Sequence, residues 1–209
     1  CQISADNLTT CTSRVNYKYR SVCALYKGGA FEFLFFNLLV GVQGGRLMEF
    51  ENILYEMDDD GIVTITLNRP DRANSFNRQM SDELGQALSI FRKSADARVC
   101  ILTGSGKVFS AGEDLKETDL EVDDDIKAGR TRVALYGYHN IVISILGSSK
   151  PVFAALNGTV AGAALSIALA CDKRFAIVQN DLKARLVPGF SSLGLTPDAG
   201  FSLLIERFM

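Results

Sequence analysis

The sequence predicts an α/β fold built around a largely parallel sheet. Three short, almost entirely apolar runs recur along the chain, "RVCILTG" (98–104), "KPVFAALNG" (150–158) and "KRFAIV" (173–178). A strand buried on both faces reads as such a run, whereas a strand with one wet face alternates. The segments between the runs carry helical periodicity instead, and strands that alternate with helices build parallel sheets.

The elements follow in order. "MEFENILYEMDDDGIVTITLNRP" (48–70) reads as a strand, a tight "DDDG" turn and a second strand, with Val63, Ile65 and Leu67 on one face and Thr64 and Thr66 on the other. Over 77–93, Met80, Leu84, Ala87, Leu88 and Phe91 fall on one face of a helix. Further helices are expected over roughly 128–147 and 161–170, and from Ala199 onward.

Residues 1–47 differ from the rest. They hold five basic residues (Arg14, Lys18, Arg20, Lys27, Arg46) against two acidic ones (Asp6, Glu32). The composition changes at Met48, which reads as the natural initiator. The expected division is therefore 1–47 as an extension, either a translated upstream stretch outside the native protein or an interfacial or signal-like segment, and 48–209 as one folded domain that stops within a helical pattern at "LLIERFM". The stretch "AFEFLFFNLLVGV" (30–42) contains Glu32 and Asn37 and is short for a bilayer span. A cytoplasmic protein is expected, or an organellar one if 1–47 is a targeting segment.

Composition removes several classes of function. With 209 residues, 47% of them hydrophobic, the chain can bury one proper core. A net charge of −2 and scattered Lys and Arg leave no basic stripe for nucleic acid. The five cysteines are odd in number and include no CxxC pair, which argues against both a disulfide framework and a zinc site; no metal is expected. Cys100 and Cys171 sit in apolar runs and read as core residues. His139 is the only histidine, and with no GxSxG nucleophile to partner it, it reads as a helix-surface or packing residue.

"VFSAGEDLKE" (108–117) lies at the carboxyl end of the "VCILTG" strand, the end at which α/β proteins place ligands. Ala111 and Gly112 permit a tight turn and close approach of a ligand to backbone. Asp114 followed by Glu117 has the spacing of a capping box, which sets the amide of Glu113 at a helix start, where free N–H groups favour negative charge. "GSGK" (104–107) is similar to a phosphate-binding loop but fails it, since Ile101 and Val108 stand where Gly and Ser or Thr are needed. "NGTVAGAALSIALACD" (157–172) has no GxGxxG, yet it sets a second helix start near Gly162 and Ala163. Two such amides converging on one oxygen make an oxyanion hole.

"LNRPDRANSF", "GSGKVFSAGEDLKE", "KPVFAALNGTVAGAALSIALACD" and "GLTPDAG", in this order and spacing, closely resemble the enoyl-CoA hydratase/isomerase (crotonase) superfamily over residues 48–209. The resemblance implies a spiral of ββα units, truncated here before the carboxyl-terminal helices, and assembly as a trimer or a dimer of trimers. It implies an acyl-CoA substrate, with no cofactor beyond the CoA it carries. The thioester oxygen is then held by the backbone N–H groups of Glu113 and Ala163. The CoA lies along Arg72, Ala73 and Ser75 and along Ala111, Gly112, Asp114 and Leu115, with Gly162 beside them. The two glutamates of the family's hydratases are replaced here by Ser166 and Phe190, which leaves Asp198 in "GLTPDAG" as the proton-transfer group. The sequence is most similar to the branch of ring-epoxyphenylacetyl-CoA isomerases and related enoyl-CoA isomerases. An acyl-CoA isomerase is therefore expected. The alternatives are a hydratase using Asp198 and a water held by Ser166, or a non-catalytic acyl-CoA-binding scaffold in which Asp198 only caps a helix.

Overall fold

The computed structural model describes residues 22–25, 50–118, 137–179 and 182–208. The first strand, β1 (Val22–Leu25), lies at one edge of a large sheet. Strands β2 (Ile53–Met57) and β3 (Ile62–Leu67) form the expected hairpin at the other edge. Asp58 closes its turn: the carboxylate accepts from the amides of Asp60 (3.0 Å) and Ile62 (2.8 Å). Helix α1 (Arg78–Lys93) is capped by the Asn77 side chain, which accepts from the Met80 amide at 2.9 Å. It buries Met80, Leu84, Ala87, Leu88 and Phe91, the face read from the periodicity.

Beyond α1 one pattern repeats. Strand β4 (Val99–Gly104) joins the large sheet and β5 (Val108–Ser110) joins a small one, and the short helix α2 (Leu115–Thr118) follows. After helix α3 (137–146), strand β6 (Val152–Leu156) returns to the large sheet and β7 (Thr159–Ala161) to the small one, leading into α4 (Gly162–Ala170). Strand β8 (Lys173–Gln179), its hairpin partner β9 (Leu182–Lys183), β10 (Leu186–Val187) and α5 (Phe201–Phe208) complete a third turn. The large sheet therefore runs β1-β8-β6-β4-β3-β2 and the small one β10-β7-β5. Each turn of the chain gives one strand to each sheet, and this is the expected spiral of ββα units. Every pairing is parallel except β2 with β3 and β8 with β9.

The strand expected over 150–158 is β6, which ends before Asn157–Gly158, and β7, a strand the sequence pattern does not announce, follows in the other sheet. The break at Asn157–Gly158 comes from a crossing of backbones: a Cβ on Gly158 would stand 2.0 Å from the Lys107 carbonyl oxygen, so only glycine fits. Asn157 fastens the same crossing, donating to the Gly106 carbonyl (2.9 Å) and accepting from the Gly104 amide (3.2 Å). The last helix begins at Phe201 rather than Ala199, because Ala199 (φ 46°) and Gly200 (φ 73°) are both left-handed. The expected helix segment 128–136 and the initiator Met48 lie outside the described residues. Within 1–47, Val22–Leu25 pairs in parallel register with Arg174–Ile177.

Helix α4 is apolar all round because eight of its nine residues are buried. Its carboxyl end is closed by Arg174 on β8, which is 1% exposed and donates from Nη1 to the carbonyls of Leu169 (3.0 Å) and Cys171 (2.7 Å). A buried cation at the negative end of a helix dipole is an arrangement in which each partner offsets the other's desolvation.

Candidate active site

The site is assembled from three loops, the first two anchored by buried polar side chains. The first is 69–76. After a 3-10 turn (Pro70–Arg72), Ala73 (φ 50°) and Asn74 (φ 51°) take left-handed conformations, which asparagine tolerates better than most residues. Asn74 is fully buried. Its Nδ2 donates to the carbonyls of Ser105 and Val108, both at 2.8 Å, and its Oδ1 accepts from the Arg69 amide at 2.9 Å. Further bonds lay the loop along β5: the Ala111 amide donates to the Ala73 carbonyl (2.9 Å), and Ser110 Oγ donates to the Asn74 carbonyl (2.7 Å). Sequence reasoning missed Asn74, although an asparagine between Ala73 and Ser75 in a Pro-containing turn is a signal for a left-handed residue.

The second loop is the turn 111–115. Phe76 donates its amide to the Gly112 carbonyl (2.7 Å) and accepts from the Asp114 amide (2.9 Å), a one-residue parallel bridge to Glu113. In such a bridge the N–H and C=O of the opposed residue point to the other side. The Glu113 amide therefore faces away from Phe76. Asp114 is buried and bonds Arg69 Nη1 at 3.0 Å, and its carboxylate also accepts from the Ser75 hydroxyl and from the Lys116 amide, which makes it the cap of α2. Burial by itself would raise the Asp114 carboxyl, but the hydrogen bond and charge of Arg69 outweigh it and hold the group below the ordinary carboxylate range. Leu115 is 43% exposed beside it, and Arg72 extends outward with nearly half its side chain in solvent.

The third loop is the entry into α4. Gly162 (φ 53°) turns the chain, and Ala163 follows in the first helical turn, where N–H groups lack an acceptor four residues back. The two glycine turns touch. A Cβ on Gly112 (φ 91°) would come within 2.9 Å of the Ala161 carbonyl oxygen and 3.5 Å of Gly162 Cα. The residues that follow these two glycines are Glu113 and Ala163, so the two amides named from the sequence belong to turns in direct contact.

Asp198 stands against the same helix. Ser166, one turn beyond Ala163 and fully buried, donates its hydroxyl to the Asp198 carbonyl at 3.3 Å. The Phe201 amide also bonds that carbonyl, at 2.8 Å, so the backbone of Asp198, and not its side chain, opens α5. Oδ1 of the carboxylate is buried and has no hydrogen-bond partner. Burial is the largest influence on this group and raises it above the ordinary carboxylate range; the charge of His139 and Asp198's own amide pull the other way. Phe190 is buried against Phe201, with ring centroids 5.3 Å apart. Thus neither position where the resemblance implies a hydratase glutamate carries a carboxylate, and one of them is closed by an aromatic ring.

Among the described residues no group of three or more His, Cys, Asp or Glu side chains could hold a metal ion, and no helix is long and apolar enough to cross a membrane.

Known proteins resemble this chain in sequence and fold. The model of the enoyl-CoA hydratase/isomerase family matches residues 57–209. The trans-2-decenoyl-[acyl-carrier-protein] isomerase of Streptococcus mutans is 38% identical over 160 residues, which cover 77% of this chain and 59% of that protein. The 1,2-epoxyphenylacetyl-CoA isomerase of Escherichia coli is 38% identical over 162 residues, covering 77% and 58%. The crystal structure of an enoyl-CoA hydratase from Bacillus anthracis superposes with a TM-score of 0.63 at 28% identity, over 75% of this chain and 58% of that one. The chain thus spans somewhat under three fifths of the length of these relatives. With its matched segment and its fold in agreement, the chain belongs to the enoyl-CoA hydratase/isomerase family.

Proposed function

We propose that the protein is an acyl-CoA isomerase that works through a thioester enolate. The observation that carries this reading is the Asp198 carboxylate, which is raised by burial and has an oxygen that neither caps a helix nor bonds a neighbour. A carboxylate with one oxygen open and its pKa shifted upward is suited to take up a proton and return it. The touching turns at Gly112 and Gly162 support the other half of the chemistry. The amides of Glu113 and Ala163 hold the thioester oxygen as negative charge develops on it, which lowers the barrier to removing the neighbouring proton. Asp198 removes that proton and delivers it to another carbon of the acyl chain. The turn residues Ala111 and Gly112 let the thioester reach the backbone. Arg72, Ala73 and Ser75, with Leu115, face the CoA portion.

A single carboxylate suits the return of one proton better than the net addition of water. Hydration needs a second group to orient water, and the Ser166 hydroxyl that could serve is buried and donates to the Asp198 carbonyl. The test uses 3-enoyl- and 2-enoyl-CoAs in H2(18)O. An isomerase moves the double bond and leaves the product free of 18O, whereas a labelled 3-hydroxyacyl-CoA identifies a hydratase and overturns the reading. Tight binding without any conversion identifies a scaffold.

The glycine contact gives a further prediction. Gly112→Ala forces a methyl group against the Ala161 carbonyl oxygen in a left-handed conformation, which moves the two turns apart. Turnover is expected to fall by roughly 10²-fold, the loss typical of removing one oxyanion donor, with the circular dichroism spectrum unchanged. Steady-state kinetics that match the unmodified protein would show that the contact does not set the amides.

A further inference from the structure

The first two loops of the site meet along a seam to which four consecutive carbonyls contribute. That of Ala73 accepts from the Ala111 amide (2.9 Å), that of Asn74 from the Ser110 hydroxyl (2.7 Å) and that of Phe76 from the Asp114 amide (2.9 Å). The Ser75 carbonyl is served differently. It accepts from Nη1 of Arg69 at 2.7 Å, and the same nitrogen crosses the seam to bond Asp114 Oδ2 at 3.0 Å. Arg69 thereby joins the 73–76 stretch to the turn 111–115.

The link is largely out of water. The Arg69 side chain is 11% exposed and that of Asp114 5%, so withdrawing the guanidinium would leave a buried carboxylate uncompensated, and the pair stays closed. The backbone from which Arg69 reaches is also fixed: its amide donates to Asn74 Oδ1 (2.9 Å), and its carbonyl accepts from the Asn74 amide (2.8 Å). What the link steadies is the short span from Gly112 to Asp114. In a trans peptide the N–H points opposite to the preceding carbonyl, so the Phe76 amide, by holding the Gly112 carbonyl at 2.7 Å, turns the Glu113 N–H to the far side. Gly112 (φ 91°) has no Cβ to stiffen the turn from its own end. The restraint comes from the other end, where Phe76 holds the Asp114 amide and Arg69 holds its carboxylate.

We propose that Arg69 is a positioning residue for the reaction: by bonding both the Ser75 carbonyl and the Asp114 carboxylate, it keeps the Glu113 amide aimed at the thioester oxygen. The proposal rests on the oxyanion role given to that amide under the isomerase reading. Arg69 acts on the turn and not on the substrate. A donor misplaced by about 1 Å loses most of its hold on charge that develops in the transition state, whereas contacts to the rest of the acyl-CoA persist. The effect therefore falls on kcat rather than on KM.

The experiment compares the protein with Arg69→Met and Arg69→Lys, measuring kcat and KM separately for enoyl-CoA isomerisation. In Arg69→Met, kcat is expected to fall about 10²-fold while KM changes by less than about threefold. Because one nitrogen of Arg69 makes both bonds, a lysine ammonium can reproduce them, and Arg69→Lys is expected to recover most of the lost kcat. A loss confined to KM, or a lysine variant as slow as the methionine one, overturns the proposal. Thermal melting separates loss of fold from loss of aim. If Arg69→Met does not fold, the double variant Arg69→Met with Asp114→Asn, which leaves no uncompensated carboxylate, takes its place in each comparison with the original protein. A second measurement needs no turnover: octanoyl-CoA labelled with 13C at the thioester carbonyl is bound to saturation, and the downfield shift of that carbon reports how strongly the amides polarise the bond. The shift is expected to shrink in Arg69→Met and to return in Arg69→Lys. If it does so but no enoyl-CoA is isomerised by the original protein, the isomerase reading fails and the role of Arg69 stands. If the shift is equal in all three proteins while Asp198→Asn abolishes isomerisation, the role of Arg69 fails and the isomerase reading stands. No shift with the original protein removes the oxyanion role, and the proposal with it.

Discussion

Asp198→Asn is expected to lose about 10²- to 10⁴-fold in turnover, the range that a positioned general acid or base supplies, while CoA-thioester affinity changes little. The amide is nearly isosteric, so the Ser166 and Phe201 bonds to the Asp198 carbonyl survive. The same substitution should leave the protein at least as stable at pH 7. Burial raises the pKa of Asp198 in the folded state, so folding favours its protonated form. The cost is absent below the unfolded value near 3.8, grows as pH rises toward the raised folded value, and is fully present above it. Removing the charge removes the cost. Thermal melts at pH 7 and at acid pH check this: the melting temperature of Asp198→Asn should match the original protein in acid and equal or exceed it at pH 7. A lower melting temperature at pH 7 would mean that the carboxylate stabilises the fold after all.

Asn74→Ala is expected to have the largest effect on stability. The substitution leaves the carbonyls of Ser105 and Val108 and the amide of Arg69 without the partner that Asn74 supplies. Each buried polar group deprived of a bond costs about 1–3 kcal/mol. The left-handed φ of 51° adds strain for alanine. A total of about 3–5 kcal/mol is a large part of the stability of a typical domain. The first expected sign is fraying of the 69–76 loop, seen as faster amide exchange at Ala111 and Phe76, which bond Ala73 and Gly112 across the same seam. Urea unfolding gives the magnitude. A loss below 1 kcal/mol would show that the loop is held by its apolar contacts, Phe76 above all.

Much of the scaffold was legible because it rests on short-range patterns. The alternation of Val63, Ile65 and Leu67 and the single apolar face of α1 follow from periods of two and of 3.6 residues. The breaks were harder. That position 158 admits only glycine depends on the Lys107 backbone some fifty residues away, which no local pattern reports. Strands β5 and β7 are three residues each and exist because they pair with one another. The same distinction runs through the site. Gly112 and Gly162 announce turns, but their contact is tertiary. Asp198 followed by an apolar segment reads locally as a helix cap, and the two left-handed residues after it displace the helix and release the carboxylate. Asn74 bonds across more than thirty residues, so its importance lies in partners that the local sequence does not name. His139 reads as a helix-surface or packing residue, and its side chain is exposed on α3.

The central claim is that the site forms a thioester enolate with Asp198 as the base. Its most direct test is hydrogen–deuterium exchange at the carbon next to the thioester carbonyl, followed by NMR after incubation of the protein and its Asp198→Asn variant with a panel of acyl- and enoyl-CoAs in D2O. The account predicts exchange with the original protein and at least 10²-fold slower exchange with the variant at equal acyl-CoA occupancy. Equal exchange in the two proteins, or none in either despite bound acyl-CoA, would contradict it.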